Sequence, residues 1–294
     1  MTVVLEKQKA RRGFWAQLVR LPRAWVGGAM VGVMLFAAVF APLVTPKDPL
    51  QQFMEGLSPT GTPLAPGGNF PLGTDHLGRD LLTRLVYGAR VSLFISIAAN
   101  LTAAVFGTVV GMFAGYYGGA VDTLLMRFTD ILLAYPAVLL ALGLGSVLRP
   151  SIPVIILILM VITWPILARL VRSQTLSMRE RQFIESARAA GATGPYIIFR
   201  HILPHTLTVT VVYFTLNVAS SVLIEAALSF LGVGVPLPTA SWGNMILEGQ
   251  SRYRIAPWMI LFPTLAILVT TLGFNLLGDA IRDALDPRTS LRLK

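Results

Sequence analysis

Long apolar runs constrain the fold of this chain more than any other feature of its sequence. A helix needs roughly 20 apolar residues to cross a hydrocarbon core about 30 Å thick. Of the 294 residues, 54% are hydrophobic and 13% are charged, whereas soluble domains contain about 25% charged residues. Six runs reach the required length, at 24–44, 91–115, 124–148, 152–171, 207–233 and 258–277. The sequence therefore predicts an all-α, polytopic membrane protein with six transmembrane helices.

The distribution of lysine and arginine predicts the side of each connection, because cytoplasmic loops carry an excess of both. With the N-terminus inside, 17 of the 24 basic residues are cytoplasmic: Lys7, Lys9, Arg11, Arg12, Arg20, Arg23, Arg127, Arg169, Arg172, Arg179, Arg181, Arg188, Arg200, Arg282, Arg288, Arg292 and Lys294. The other side keeps 7: Lys47, Arg79, Arg84, Arg90, Arg149, Arg252 and Arg254. Both termini are therefore predicted to be cytoplasmic. The net charge of +10 follows from this topology, and we expect no nucleic-acid partner.

The spans divide the chain into five segments. We expect a cytoplasmic segment (1–23), an anchor helix (24–44), an extracytoplasmic loop (45–90), a five-helix core with a cytoplasmic loop at 172–206 (91–281), and a cytoplasmic tail (282–294). The first apolar run could also belong to a signal peptide. Its length of about 20 residues exceeds the roughly 7–15 of a typical signal-peptide core, so we expect an uncleaved anchor.

The extracytoplasmic loop has two halves of different composition. Residues 46–73 contain six prolines and several glycines, which exclude regular structure. From Thr74 onward, apolar residues recur at helical spacing, at Leu77, Leu81, Leu82, Leu85 and Val86, with Asp75, Arg79, Asp80 and Arg84 between them. This pattern predicts an amphipathic helix at the membrane interface that leads into the second span. Such a helix could be a connector or could receive substrate.

Small residues and prolines recur within the predicted spans. Gly107, Gly111 and Gly115 repeat at intervals of four, as do Gly28 and Gly32. Such ridges let helix backbones approach closely, so we expect both to pack against other helices. Three prolines in the middle spans are predicted to break or kink them: Pro136, Pro153 and Pro165.

Glu225 lies near the middle of the fifth predicted span, where an isolated charge is costly. Asn217, two turns earlier, shares roughly its face of the helix. The pair either lines an aqueous translocation path or forms a satisfied polar contact that fixes helix packing. The same alternatives apply to Asn100 and Asn275.

Enzymatic activity within this chain is disfavoured by the side chains available. The sequence contains no cysteine, which excludes thiolate chemistry. His201 and His205 have the spacing of helical zinc ligands, but Pro204 lies between them and no glutamate follows the first. No histidine or lysine at membrane depth could activate a serine. The phosphate-binding loop G-x-x-x-x-G-K-[ST] is absent, so any ATP-driven work requires a separate ATPase.

The polar segment at 181–205 stands between two apolar runs and reads RQFIESARAAGATGPYIIFRHILPH. Its pattern of short helix, glycine stop and second helix is typical of a docking element. It resembles the EAA loop of ABC-importer permeases, in which Glu-Ala-Ala, Gly and Leu-Pro recur at fixed spacing. Five residues match this pattern: Glu185, Ala187, Gly191, Leu203 and Pro204. Ser186 replaces the first alanine, and His201 stands where the family has isoleucine.

Three further segments extend the resemblance to almost the whole chain. They are PLGTDHLGRDLLTRLVYGARVSL at 71–93, LSFLGVGVPLPTASWGNMI at 228–246 and LLGDAIRDALDPR at 276–288. Together they resemble the C-type permeases of dipeptide and oligopeptide importers, with a type I importer fold. This resemblance implies a multi-pass protein of a prokaryotic inner membrane.

The resemblance also implies partners and functional residues. The partners are a homologous B-type permease, two ABC ATPase subunits (identical or different), an extracytoplasmic substrate-binding protein and the lipid bilayer. ATP and Mg²⁺ would be bound by the ATPases, with no cofactor or metal in this chain. The implied ATPase-coupling residues are Arg181, Glu185, Ser186, Ala187, Arg188, Gly191, Leu203 and Pro204, and Asn217 and Glu225 are candidates for the translocation path. Two alternatives to a peptide importer remain. The first is the same permease role with another cargo, such as nickel chelates, sugars or other solutes. The second is an independent channel, carrier or scaffold.

Overall fold

The structure is a computed structural model that describes residues 14–285. Four predicted cytoplasmic residues (Lys7, Lys9, Arg11 and Arg12) and three near the other end (Arg288, Arg292 and Lys294) lie outside this range. Residues 14–20 are helical. Ten helices follow: α1 (Pro22–Val39), α2 (Ala41–Val44), α3 (Leu81–Tyr117), α4 (Gly119–Leu133), α5 (Ala137–Val147), α6 (Ile152–Arg179), α7 (Gln182–Ala189), α8 (Gly194–Phe230), α9 (Trp242–Gln250) and α10 (Trp258–Leu285).

The all-α prediction is confirmed for the part of the chain that the structure describes. Between residues 14 and 285, β-pairing occurs only as isolated bridges, and these lie in the loop that precedes α3. That loop is otherwise made of turns, with one short 3₁₀ helix at Met54–Gly56, as its prolines predict.

Within residues 14–285, five helices are long and apolar enough to cross a membrane singly: α1, α3, α6, α8 and α10. The predicted span at 124–148 is not one straight helix, because α4 and α5 meet at an angle of 88°. The bend lies at Pro136, which lacks the N–H that a continuous helix would need there. Six spans are present if the bent pair counts as one. The break predicted at Pro136 is therefore real.

The other two prolines of the middle spans behave differently from Pro136. Pro153 does not break a span, because it lies in the first turn of α6, where no backbone N–H donor is needed. Pro165 lies inside α6, and the helix continues through it.

The amphipathic helix predicted from Thr74 does lead into the second span, but its predicted start is wrong. Residues 74–80 form a non-helical loop closed by a bridge between Thr74 and Asp80, and α3 begins at Leu81 and continues through the second span for 37 residues. Asp80 caps this helix, since its carboxylate accepts hydrogen bonds from the Thr83 backbone N–H and hydroxyl. The charged residues Asp75, Arg79 and Arg84 are buried rather than arranged along a water-facing side.

The fifth span also begins earlier than its apolar run indicates. The helix runs without interruption from Gly194 to Phe230, so the connection after α6 is shorter than the predicted 172–206 loop. A π-helical segment at Ile198–Ile202 lies within it, just before Pro204. We attribute the wider turn to this proline, whose ring and missing N–H disturb regular helical hydrogen bonding.

Glycines on α3 hold that helix against α6. A Cβ atom on Gly107 would lie 2.8 Å from the Trp164 carbonyl oxygen, and one on Gly111 would lie 2.5 Å from that of Ala168. Close packing of this ridge is therefore confirmed. The same prediction for Gly28 and Gly32 is wrong among residues 14–285, because none of their atoms would lie within 4 Å of a Cβ at either position. Gly27 makes the close approach instead, to Leu277 of α10.

Alternation of the spans places the loop before α3 and the short helix α9 at one end of the bundle, which we name the loop end. The start of α1, the close of α3, helix α7 and the close of α10 share the other end, which we name the coupling end. A salt bridge of 2.9 Å between Arg23 and Asp283 ties the start of α1 to the last turn of α10.

Candidate functional site

Helix α7 carries the first half of the EAA-like pattern and is defined by how it ends. Ala190 follows the helix, and Gly191 adopts a φ of +80°. The Ala192 N–H bonds the Ala187 carbonyl at 3.0 Å, and the Gly191 N–H bonds that of Arg188 at 2.9 Å. These paired bonds form a Schellman motif, which requires a left-handed residue at this position. The glycine therefore stops the helix abruptly and turns the chain towards α8.

One apolar side chain anchors α7 to the membrane core. Ile184 is 0% exposed and belongs to an apolar cluster with Met112 of α3 and three isoleucines of α8, which are Ile197, Ile198 and Ile202. Ala187 packs against the same cluster. Because only one side of this short helix is buried, its remaining surface stays available.

The exposed side of α7 is polar and small. Glu185, Ser186 and Arg188 are all exposed. Glu185 lies in the first turn, where a carboxylate interacts favourably with the helix dipole. An open groove of about 690 Å³ lies beside the helix, between Phe183 and Ser186 on one side and Tyr196 and His201 on the other. The arrangement offers a convex helix and a neighbouring groove to a partner.

The two arginines of this segment are in different environments. The Arg188 guanidinium lies 5.1 Å from the centre of the Tyr116 ring, at the close of α3, within the range of a cation–π interaction. Arg181 is exposed at the N-cap of α7. It forms no salt bridge with any residue between 14 and 285.

Leu203 and Pro204 do not lie on α7. They belong to α8, where Leu203 is partly buried against the cluster around Ile184 and Pro204 is exposed. The linear pattern thus corresponds to two structural parts: α7 with its glycine stop, and the base of the helix on which α7 rests. His201 and His205 flank the Phe183 ring, at 6.4 and 6.0 Å between ring centres.

Glu225 is fully enclosed by its own chain, with 0% of its surface exposed. The Ser229 hydroxyl donates to its Oε1 at 2.8 Å, and the Val235 N–H donates to the oxygen of Ser229 at 3.1 Å. The hydroxyls of Ser92 and Ser241 also lie beside this carboxyl group, although its Oε2 makes no well-formed hydrogen bond. The carboxyl group thus lies where α8, α3 and the 231–241 loop meet.

The three asparagines within the spans occupy different positions. Asn100 is 2% exposed and bridges α3 to α8, because its Nδ2 donates to the Ser221 hydroxyl at 2.7 Å and to the Asn217 carbonyl at 3.3 Å. Asn217 is half-buried and donates to the Tyr213 carbonyl. Asn275 is exposed on α10. Of the two path candidates, only Asn217 reaches the surface of the chain.

Sequence reasoning missed a buried ion network at the loop end. The Arg84 side chain, 0% exposed, donates to Glu248 at 2.6 Å, and Arg79 donates to Asp75 at 2.6 Å and to Glu248 at 3.1 Å. His76 lies close enough to Asp75 and Glu248 for the three to share a metal ion. Both carboxylates are already paired with arginines, so the network is better described as an ionic clamp. In the sequence, the only sign of this network was that arginines stand just before an apolar run.

Residues 107–291 match the family described as "Binding-protein-dependent transport system inner membrane component", and residues 10–64 match the "N-terminal TM domain of oligopeptide transport permease C". The chain belongs to this permease family. The match includes α7, the glycine stop and the whole of α8.

The permease is similar along most of its length to two curated relatives. One is the dipeptide transport system permease protein DppC of Alkalihalophilus pseudofirmus, which is 40% identical over 94% of this chain and 90% of the relative. Another is the glutathione transport system permease protein GsiD of Pectobacterium atrosepticum, which is 39% identical over 94% and 91%. The resemblance deduced from the sequence is thereby confirmed.

The fold matches that of a solved transporter subunit. An inward-facing structure of the MetNI methionine ABC transporter superposes with a TM-score of 0.56, at 21% identity over 69% of this chain and 97% of that one. This likeness confirms the type I importer fold. The permease is accordingly a multi-pass transport subunit of an ABC importer rather than an enzyme. Permeases of this family work in general with a separate ATPase and a substrate-binding protein.

Proposed function

We propose that this permease is the C-type half of an importer for short peptides. The observation that carries the proposal is its 39–40% identity, over 94% of its length, to permeases named for dipeptide and glutathione transport. Both named cargoes contain peptide bonds, so a short peptide is the shared chemistry. The other half of the path would come from a homologous B-type permease.

The coupling helix α7 is the part of the chain proposed to meet the ATPase. Its convex polar surface, small side chains and single buried anchor suit a helix that enters a cleft on another subunit. ATP and Mg²⁺ would be bound by two ABC ATPase subunits. Closure of that pair would displace α7, tilt the spans that flank it and alternate access between the two sides of the membrane.

The coupling end is assigned to the cytoplasm because basic residues are concentrated there. Arg179, Arg181, Arg188 and Arg200 all lie within or beside the segment around α7. Both termini would be cytoplasmic by alternation of the spans. The loop end, with residues 46–80 and α9, would then face the substrate-binding protein outside the membrane.

Transport by the assembled importer tests the coupling role of α7. The permease would be reconstituted into liposomes with its B-type partner, ATPases and binding protein, and uptake of labelled dipeptide would be measured with and without ATP. Replacing Glu185 or Gly191 by a bulky residue is expected to abolish uptake while the permease still reaches the membrane. Normal uptake by both variants would overturn the coupling role of α7.

Cargo is tested separately by competition. Unlabelled dipeptide, longer peptides and glutathione, which is a tripeptide, would each compete with labelled dipeptide for the binding protein and for uptake. Competition by peptides is expected. Competition by a nickel chelate or a sugar, with none from peptides, would replace the proposed cargo but leave the coupling role of α7 intact.

A further inference from the structure

Helix α3 spans the whole distance between the two functional ends of the permease. Its 37 residues correspond to about 55 Å of helix, well beyond the roughly 30 Å of a hydrocarbon core. Its first turn contains Arg84, and its last turn contains Tyr116 and Tyr117. A single uninterrupted element therefore reaches from the ionic clamp to the coupling helix.

The first turn of α3 is fixed to the loop end by buried charges. Arg84 pairs with Glu248 of α9 at 2.6 Å and with Asp75 of the preceding loop at 3.4 Å. Arg79 joins the same two carboxylates. This end of α3 cannot move without moving α9 and the loop before α3, because separating buried charges is strongly unfavourable.

The last turn of α3 is fixed at the coupling end by a different set of contacts. The Tyr116 ring receives the Arg188 guanidinium at 5.1 Å, and its carbonyl accepts from Arg179 of α6 at 3.3 Å. A Cβ atom on Gly194 would lie 2.9 Å from the Tyr117 hydroxyl oxygen, so this side chain covers the start of α8. Met112, one turn earlier, shares the apolar cluster of Ile184.

These contacts matter because α3 is not joined to α7 in sequence. The chain connects α7 only to α6, through Glu180 and Arg181, and to α8, through residues 190–193. Displacement of α7 can reach α3 indirectly through α6, which the glycine ridge holds against α3, or directly through the side chains of α7 itself. Ile184 supplies an apolar contact without directional preference, whereas the Arg188–Tyr116 pair depends on the orientation of α7.

We propose that Tyr116 is a positioning residue that holds Arg188 of the coupling helix, so that α3 transmits displacement of α7 to the ionic clamp at the loop end. The inference rests on the coupling role proposed for α7 and assigns a specific contact to it. Release of substrate from the binding protein at the loop end would then be linked to the ATPase cycle at the coupling end through one rigid helix.

The test measures coupling rather than activity alone. In the reconstituted importer, the number of peptides transported per ATP hydrolysed and the stimulation of ATPase activity by loaded binding protein would be compared among variants. Tyr116→Leu removes the ring, Tyr116→Phe keeps it, and Arg188→Ala removes the cation. Arg127→Ala is the matched control, since Arg127 is an exposed arginine on α4 outside this contact.

Tyr116→Leu and Arg188→Ala are each expected to lower the transport-to-hydrolysis ratio about two- to fivefold, as for loss of an exposed cation–π contact. Tyr116→Phe and Arg127→Ala should leave the ratio unchanged. The double variant Tyr116→Leu/Arg188→Ala should be no worse than either single variant, because both remove the same interaction. Co-purification of the ATPases with every variant confirms that assembly is intact.

An unchanged ratio in Tyr116→Leu, additive losses in the double variant, or an equal loss in Arg127→Ala would each overturn this inference. The proposed function is judged by different variants. If Glu185 and Gly191 replacements leave uptake normal, the role of α7 itself fails. If they abolish uptake while Tyr116→Leu stays fully coupled, only the contact proposed here fails.

Discussion

Charged side chains are buried and paired at the loop end of the permease but exposed at its coupling end. At the loop end, Asp75, Arg79, Arg84 and Glu248 are at most 11% exposed and are paired with one another. At the coupling end, Glu185 and Arg188 are exposed, and Arg188 contacts only an aromatic ring among the described residues. Charges that are satisfied within the chain fix its structure, whereas charges left at the surface can be recognised by another subunit. The ionic clamp is therefore structural, and the surface of α7 is free for a partner.

The largest effect that this comparison predicts is on Arg84. Arg84→Ala leaves Glu248 and Asp75 sharing the single cation of Arg79 in a buried site. We expect a loss of about 3–5 kcal/mol of stability, the usual result of removing one member of a buried ion pair. Thermal unfolding of the purified complex and the amount of permease in the membrane would measure it.

The double replacement Arg84→Met/Glu248→Leu is the matched control for that experiment. It removes one positive and one negative charge together and leaves Asp75 paired with Arg79. Apolar replacements of a whole buried pair are often neutral or stabilising, so much of the stability should return. If Arg84→Ala unfolds at the same temperature as the natural chain, the clamp is not structural and the contrast between the two ends disappears.

The next effect concerns the turn that ends α7. Gly191→Val places a β-branched residue at a φ of +80°, which costs roughly 1–2 kcal/mol or more. We expect more than a tenfold loss of peptide uptake, because the helix end must rearrange on the surface offered to the ATPase. Membrane abundance should be nearly normal, since a Cβ atom there would meet no described residue within 4 Å.

Gly191→Asn separates backbone strain from the loss of glycine as such. Asparagine visits the left-handed region more readily than other residues with a side chain, so this variant should retain clearly more uptake than Gly191→Val. Equal loss in the two variants would show that the ATPase cannot accept any side chain at this position, and strain would not be the cause.

The parts of the fold that depend on local chemistry were predictable from the sequence. Apolar run length located the spans, and a glycine six residues after Glu185 located the end of α7. The glycine ridge on α3 was also predictable, because its interval of four residues places all three glycines on one face. Each of these features is determined by residues within one short segment of the sequence.

The remaining features depend on contacts between distant segments. Arg84 meets Glu248 across 164 positions of sequence, and neither residue alone signals that the other is near. The polar residues between Asp75 and Arg84 therefore suggested the solvent-exposed side of an interfacial helix. The start of α8 was missed for a related reason. Polar residues such as Arg200 hide a helix from a search for apolar runs.

Glu225 is an intermediate case, because it is buried like the clamp but has no cationic partner among its hydrogen-bonding neighbours. Glu225→Ala removes the acceptor of Ser229 and is expected to cost about 1–3 kcal/mol. Glu225→Gln keeps an oxygen acceptor of the same shape and should be close to neutral. Thermal unfolding of the complex would distinguish the two variants.

Labelling of introduced thiols tests the alternative role of Glu225 in the path, since the chain has no cysteine. Glu225→Cys is expected to resist a membrane-impermeant thiol reagent, whereas the half-buried Asn217→Cys should react faster. Reaction at position 225 that peptide substrate protects would assign this carboxyl group to the translocation path and end its description as a packing contact.

The smallest predicted effect is on a charge pair that is neither buried nor offered to a partner. Arg23 and Asp283 meet at 2.9 Å, but their side chains are 51% and 36% exposed. Pairs of this kind contribute about 0–1 kcal/mol. Arg23→Ala and Asp283→Asn should each leave uptake unchanged and alter thermal stability within that range, with further weakening of the difference at high salt. A loss as large as that of Arg84→Ala would mean that exposed pairing also fixes this fold. Burial would then no longer separate the structural charges of the permease from those kept for its partners.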